Sequence, residues 1–211
     1  MSDDSTTQRL LFPGIFGKPV VAQFDQREGS SDGGALLLKA ADRHYGFVAG
    51  LSCCLRDDRQ AGKVDHSLRE LVAQRVFSIA CGYANANDSA RLSGDPIHKL
   101  LLQRNPIAGR DLASQPTLSR FENGVGVKEL YRLGEFLADS VIRRHAKRLH
   151  HRAYRVTIDL DPTDDPPHGA QQLSFFNGHY DTWCYLPVMG FVSFNDEAEQ
   201  YLCAAVLRPA T

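Results

Sequence analysis

The sequence lacks the features that mark secreted, membrane and zinc-ribbon proteins. Its five cysteines form no Cys-x-x-Cys pair, so neither a disulfide framework nor a zinc ribbon is indicated. No apolar run approaches the length of a membrane span, and the polar start MSDDSTTQRL has no apolar core of a signal peptide. We therefore expect a cytoplasmic protein with reduced thiols and no membrane partner.

The chain also lacks an excess of positive charge. It has 24 Lys and Arg against 25 Asp and Glu, for a formal net charge of -1, unlike many nucleic-acid-binding proteins. The distribution is more informative, because residues 143–155, RRHAKRLHHRAYR, are rich in basic residues and contain no acid. With 211 residues, 43% of them hydrophobic, the chain can bury a core as one large or two small domains.

Helical periodicity dominates the first 150 residues. Apolar residues recur at helical spacing in 35–45, 66–83, 97–103 and 127–150, whereas 19–24 favours a short strand. In 112–123, Ser114 is a candidate N-cap and Pro116 lies in the first turn. This segment resembles the second half of a helix-turn-helix, with Thr117, Ser119 and Arg120 free to face DNA. A purely structural helix remains an alternative.

An alternating stretch at 155–161 predicts a β-strand that ends in carboxylates. Apolar residues at 156, 158 and 160 alternate with Thr157, Asp159 and Asp161, so the two aspartates should share one face. Pro162 and the turn-forming residues after it predict that the strand ends there. Such oxygen ligands favour Mg²⁺ or Mn²⁺ over Zn²⁺. A solvated acidic loop is the alternative, and spacing alone does not decide between them.

Three further stretches, 173–177, 180–194 and 201–208, are rich in strand-forming residues and separated by turn signals. Together with 155–161 they predict an antiparallel meander. The basic run just before it suits nucleic-acid binding, but basic residues at the end of a helix also complement its dipole. Both explanations remain open.

The segment 157–187 resembles the first catalytic block of DDE transposases from bacterial insertion sequences, specifically the group numbered thirteen-eighty. It contains Asp-x-Asp-x-Thr at 159–163, His-Gly-x-Gln at 168–171 and Tyr-Asp at 180–181. The resemblance extends to 30–43, 82–96 and 112–123, and so covers nearly the whole chain. It implies an α+β fold with a tail and short strand in 1–30, a helical DNA-binding region in 31–151, and the first strands of an incomplete ribonuclease-H-like domain in 152–211.

The resemblance also implies roles for individual residues. In that family three carboxylates bind two divalent ions for attack on a DNA phosphodiester. The first corresponds to Asp161, with Asp159 as second choice, and the cofactor would be Mg²⁺ or Mn²⁺. The implied partner is double-stranded DNA at terminal inverted repeats, and a homo-oligomer is compatible. The basic candidates for DNA contact are Arg143, Arg144, Lys147 and Arg148, and the motif residues without an assigned role are His168, Gln171 and Tyr180.

Three functions remain open. Because the family's second Asp and its Glu are not found before Thr211, we expect a truncated transposase that is inactive alone. A non-catalytic DNA-binding or interfering fragment would use the helical region only. A haloacid-dehalogenase-like phosphohydrolase would use Asp159 as nucleophile and Asp161 as acid/base, but it needs a later lysine, and none follows Lys147.

Overall fold

The computed structural model describes residues 8–9, 21–22, 29–169 and 171–209. It combines helices with antiparallel sheet, which confirms the α+β class. The chain divides into two compact units, Met1–Gly126 and Val127–Thr211. This boundary precedes the long helix that the sequence analysis placed in the 31–151 region, because that helix packs against a strand of the second unit.

The first unit is mainly helical. Its strands β1 (Gln8–Arg9) and β2 (Val21–Ala22) pair antiparallel, so two residues assigned to the tail are in a strand. The remainder of the predicted tail and of the 19–24 strand lies outside the described residues. The helices are α1 (Ala35–Tyr45), α2 (Phe47–Cys54), α3 (Leu68–Ala80), α4 (Ser89–Leu92), α5 (Pro96–Leu101) and α6 (Gln115–Asn123), with 3₁₀ turns at Ala61–Lys63 and Ala86–Asp88.

One apolar cluster holds α1, α2, α3 and α5 together, with Leu36, Phe77 and Leu101 at its centre. Helix α2 was not predicted, because its sequence FVAGLSCC is short and carries no polar face. Helix α3 buries the polar side chain of Gln74. Gln74 is 1% exposed, since its side-chain amide donates to the Ala113 carbonyl (2.8 Å) and accepts from the Ala113 N–H (2.9 Å).

The second unit begins with α7 (Val127–Arg148) and continues into strands. These are β3 (Val156–Pro162), β4 (Phe175–Asn177), β5 (Thr182–Cys184), β6 (Val188–Phe194) and β7 (Tyr201–Val206). The sheet has the antiparallel order β3-β6-β7, and β4-β5 is a separate hairpin. The single predicted meander is therefore wrong. The 180–194 stretch divides at Tyr185, which bridges instead to Asp165 and Pro209.

Pro162 is the last residue of β3 and pairs with Val188, although we expected the strand to end before it. The N–H of Thr163 bonds to the Pro187 carbonyl at 3.1 Å, which makes the Pro162–Val188 pair a non-hydrogen-bonded one. The missing proline N–H therefore costs no bond to β6. The opposite side of β3 is the free edge of the sheet.

Helix α7 covers one face of the sheet through β6 and β7. The ring of His145 stacks on Phe194 with centroids 5.0 Å apart and lies 3.9 Å from the ring of Tyr201. Val156 pairs with Phe194, so the apolar side chains of β3 belong to the same face. The exposed fractions of Ile158 and Leu160, 66% and 69%, show that these apolar side chains of β3 are not covered. In the described part of the chain, no helix is long and apolar enough to cross a membrane.

Candidate active site

The two sequence-predicted aspartates lie side by side on β3. Asp159 pairs with Phe191 and Asp161 with Met189, so both project from the face opposite to Phe194 and α7. Alternate residues of a strand are about 6.7 Å apart, a spacing that two flexible carboxylates can bridge around one ion. Both residues are exposed, so they form an open acidic surface and not a pocket.

The two carboxylates differ in their surroundings. Asp159 Oδ2 accepts a hydrogen bond of 3.0 Å from the side-chain amide of Gln200, just before β7. The carboxylate of Asp161 makes no hydrogen bond or ion pair with any residue that the structure describes. Gln200 therefore orients Asp159 and leaves Asp161 the more available ligand. Sequence reasoning missed Gln200, because only the packing of β7 along the sheet brings it near β3.

Tyr180 supports the turn that follows the aspartates. Its hydroxyl donates to the Pro162 carbonyl at 3.0 Å, directly after Asp161. The backbone N–H of Tyr180 bonds to the side chain of Asn177 at 3.3 Å, which fixes the end of the β4-β5 hairpin. This residue thus acts on the site through backbone geometry.

The other two motif residues make no hydrogen bond or ion pair with the carboxylates within the described part of the chain. His168 and Gln171 are exposed and lie in the loop between β3 and β4. Gly169 between them has φ +86° and its carbonyl accepts the Gln171 N–H at 3.0 Å, so a tight turn separates the two side chains. This turn uses backbone atoms only, so the roles of the His168 and Gln171 side chains stay a prediction.

Two carboxylates alone form an incomplete metal site. Among the described residues, the only group of three clustered His, Cys, Asp or Glu ligands lies in the first unit and includes neither Asp159 nor Asp161. Mg²⁺ nevertheless fits an exposed, all-oxygen pair, because it keeps several waters and is commonly held by one or two carboxylates plus substrate phosphates. Asp161 and Asp159 are therefore the residues that would hold such an ion.

The basic residues of α7 differ in whether a neighbouring carboxylate neutralises their charge. Arg148 binds Glu197 with two hydrogen bonds of 3.0 and 2.6 Å, and Arg143 pairs with Asp139 one turn earlier. Lys147 is exposed and has no carboxylate partner within the described residues, whereas Arg144 has an interaction of its own. Because α7 packs on the other face of the sheet, these residues do not share a surface with Asp159 and Asp161.

Helix α6 forms as predicted, but its context differs from a helix-turn-helix. The connection from α5 runs from Leu102 to Ser114, far longer than the three- or four-residue turn of that motif. Leu118 is buried against Leu71 and Ala113. Thr117 contacts Ser114, and Ser119 accepts from Asn123, at 3.2 Å each. Arg120 is exposed and is the basic side chain that this helix presents to solvent.

Comparison with known families resolves the lineage. The profile of the family described as transposase DDE domain, group 1, matches residues 12–211. The chain belongs to the DDE transposase family. No curated protein and no solved structure matches it.

Family membership gives the chain a transposition-related function. It makes DNA the implied partner and divalent metals the general requirement of the domain. It also accounts for the N-terminal segments, which the phosphohydrolase hypothesis left unexplained. That hypothesis therefore has no remaining support.

Proposed function

We propose that this chain binds double-stranded DNA at transposon ends and supplies the first aspartates of a divalent-metal centre for DNA transposition. The observation that carries the proposal is the placement of Asp159 and Asp161 on one exposed face of β3, inside a family match that spans both units. The motif at 157–187 supports the thirteen-eighty insertion-sequence group as the lineage.

The strand arrangement supports a ribonuclease-H-like origin for the second unit. The carboxylates stand on the first strand, and two antiparallel strands follow it across the sheet. The free edge of β3 and its exposed apolar face are where further elements of such a fold would pack. We assign residues 152–211 to the catalytic domain, with α7 as its backing helix.

A bound divalent ion would activate the attacking water or hydroxyl and stabilise charge on the DNA phosphate. Asp161 would bind the ion, Asp159 would share it, and Gln200 and Tyr180 would hold the strand end in place. With two carboxylates near one another, the described residues do not make the three-carboxylate centre of the family. We therefore expect the chain alone to bind DNA without cleaving it.

DNA contact is assigned to the exposed basic side chains without neutralising partners. Arg120 on α6 and Lys147 on α7 meet this condition within the described residues, whereas Arg148 is neutralised by Glu197. Each phosphate contact releases condensed counterions, so binding should weaken steeply with salt. Thr117, Ser119, Arg143 and Arg144 would contribute secondary contacts.

The test is binding of a fluorescein-labelled duplex to the full chain, followed by anisotropy across a range of salt concentrations. We expect salt-sensitive binding, and Lys147→Ala should reduce the slope of log K against log salt by about 1. Arg132→Ala is the matched control, because Arg132 lies on the same helix, is paired with Glu129 and is not among the proposed DNA contacts. Salt-insensitive binding, or none at low salt, would overturn the proposal. Mg²⁺-dependent DNA cleavage by the chain alone would contradict the expectation that it binds DNA without cleaving it.

A further inference from the structure

Three potential metal ligands from separate elements meet in the first unit. Asp32 lies in the loop before α1, Cys81 caps the C-terminus of α3, and His98 lies in α5. One carboxylate oxygen, the thiol sulfur and one imidazole nitrogen all lie within 4.8 Å of one another. Cys81 is half-buried, and the side chains of Asp32 and His98 are 13% and 0% exposed. An exposed acidic patch would not show this burial.

The separations suit a tetrahedral ion after small side-chain adjustments. Zn²⁺ bonds of about 2.0–2.3 Å place neighbouring ligands about 3.3–3.8 Å apart. His98 Nε2 lies 2.9 Å from Asp32 Oδ2, so the distance between these two atoms would increase slightly on binding. The largest distance between two ligand atoms, at most 4.8 Å, would decrease. A mixed sulfur, nitrogen and oxygen donor set is one that Zn²⁺ accepts and Mg²⁺ does not favour.

The ligand types match the charge of a divalent cation. A thiolate, a carboxylate and a neutral imidazole would together balance the two positive charges of the ion, and binding would release the proton of the Cys81 thiol.

Neighbouring groups fix the orientation of the ligands. The Tyr83 hydroxyl donates to the other oxygen of Asp32 at 3.2 Å, and Arg91 lies over the Tyr83 ring at 4.8 Å. The backbone N–H of His98 bonds to the side chain of Asp95 at 2.9 Å, which anchors the first turn of α5. The contacts of Asp32 and of the His98 backbone are of the kind that orients metal ligands. His98 Nδ1 is buried and has no hydrogen-bond partner among the described residues.

We propose that Asp32, Cys81 and His98 bind one Zn²⁺ ion with an exchangeable fourth ligand, and that the ion ties the loop before α1 to α3 and α5. This site is separate from the aspartates of β3 and does not depend on the proposed function. Its role is to stabilise the helical unit. An Asp–His hydrogen bond without metal is the competing explanation.

The experiment uses the full chain, stripped with a chelator and titrated with Co²⁺ and then Zn²⁺. We expect one ion per chain at this site, marked by a thiolate-to-cobalt charge-transfer band, and displacement of that Co²⁺ by Zn²⁺. Cys81→Ser should abolish the band, and Asp32→Asn should weaken binding at least about tenfold. Cys53→Ser is the matched control, because Cys53 is exposed on α2, outside the cluster.

A second measurement needs no variant. Zn²⁺ should slow alkylation of Cys81 in the unmodified chain, as read by peptide mass spectrometry, without changing alkylation of Cys53. The proposal is refuted if no stoichiometric Zn²⁺ is retained, if Cys81→Ser binds Co²⁺ like the unmodified chain, or if Zn²⁺ leaves the Cys81 alkylation rate unchanged.

Discussion

Glu70 should be a pH-sensitive stabilising group of the helical unit. Its carboxylate accepts a hydrogen bond of 2.6 Å from Arg104, whose side chain is 8% exposed, and one of 2.8 Å from the Ser67 N–H. Burial alone would raise the pKa of Glu70, but these bonds outweigh it and lower the pKa from 4.5 to about 2. Because the folded pKa is the lower one, the stabilisation is present above pH 4.5 and is lost as pH falls toward 2.

The magnitude follows from the same values. The difference between 4.5 and about 2 corresponds to at most about 3 kcal/mol of unfolding free energy at neutral pH. The Glu70 side chain is 26% exposed, so solvent screening reduces this to about 1–2 kcal/mol. Glu70→Gln keeps the size of the side chain but removes its charge. It should therefore cost about 1–2 kcal/mol at pH 7 and progressively less at lower pH.

The assay is urea unfolding followed by circular dichroism at pH 7 and near pH 3, with hydrogen exchange of α3 as a local readout. Glu135→Gln is the control, because Glu135 is exposed and has no ion pair among the described residues. A destabilisation of Glu70→Gln that is equal at both pH values would refute the electrostatic reasoning. No destabilisation at pH 7 would refute the contact itself.

Three substitutions test contacts within each of the two units. Gly190→Val should cost about 1–3 kcal/mol of unfolding free energy, because an added Cβ would lie 3.0 Å from the Ala204 Cβ. Gly178→Ala is the control and should be near neutral, because the space around Gly178 is open; Trp183 fluorescence during urea unfolding measures both variants. Gln74→Leu should cost about 2–4 kcal/mol, because it leaves the buried N–H and C=O of Ala113 unpaired; a cost within error of zero by circular dichroism would contradict this. Tyr180→Phe should cost about 1 kcal/mol by the same fluorescence assay, through its lost bond to Pro162, and unchanged stability would show that this bond is not formed in solution.

Sequence periodicity predicted the helix bounds and strand faces that depend on nearby residues. The bounds of α1 match the sequence prediction, because its periodicity is uninterrupted and Gly46, with φ +65°, ends it. The common face of Asp159 and Asp161 followed from the two-residue period of β3. Both features depend on residues close together in the chain.

Features that depend on distant residues could not be predicted in this way. The position of β3 at the sheet edge depends on pairing with β6, and the role of Gln200 depends on β7 lying two strands away. The burial of Gln74 requires the backbone of Ala113, and the Asp32–His98 pair joins residues far apart in the chain. Periodicity and spacing describe residues that are close together in the chain, so they could not predict these contacts between distant residues.

The central claim, a divalent-metal site on β3, is tested most directly by Mn²⁺ binding, measured by electron paramagnetic resonance on the full chain. We predict that Asp161→Asn weakens Mn²⁺ binding at least about tenfold and that Asp159→Asn weakens it less, because Gln200 already engages Asp159. Asp181→Asn, an exposed aspartate beside the β4-β5 hairpin, should bind like the unmodified chain. Equal Mn²⁺ affinity of the Asp161→Asn variant and the unmodified chain would contradict the account.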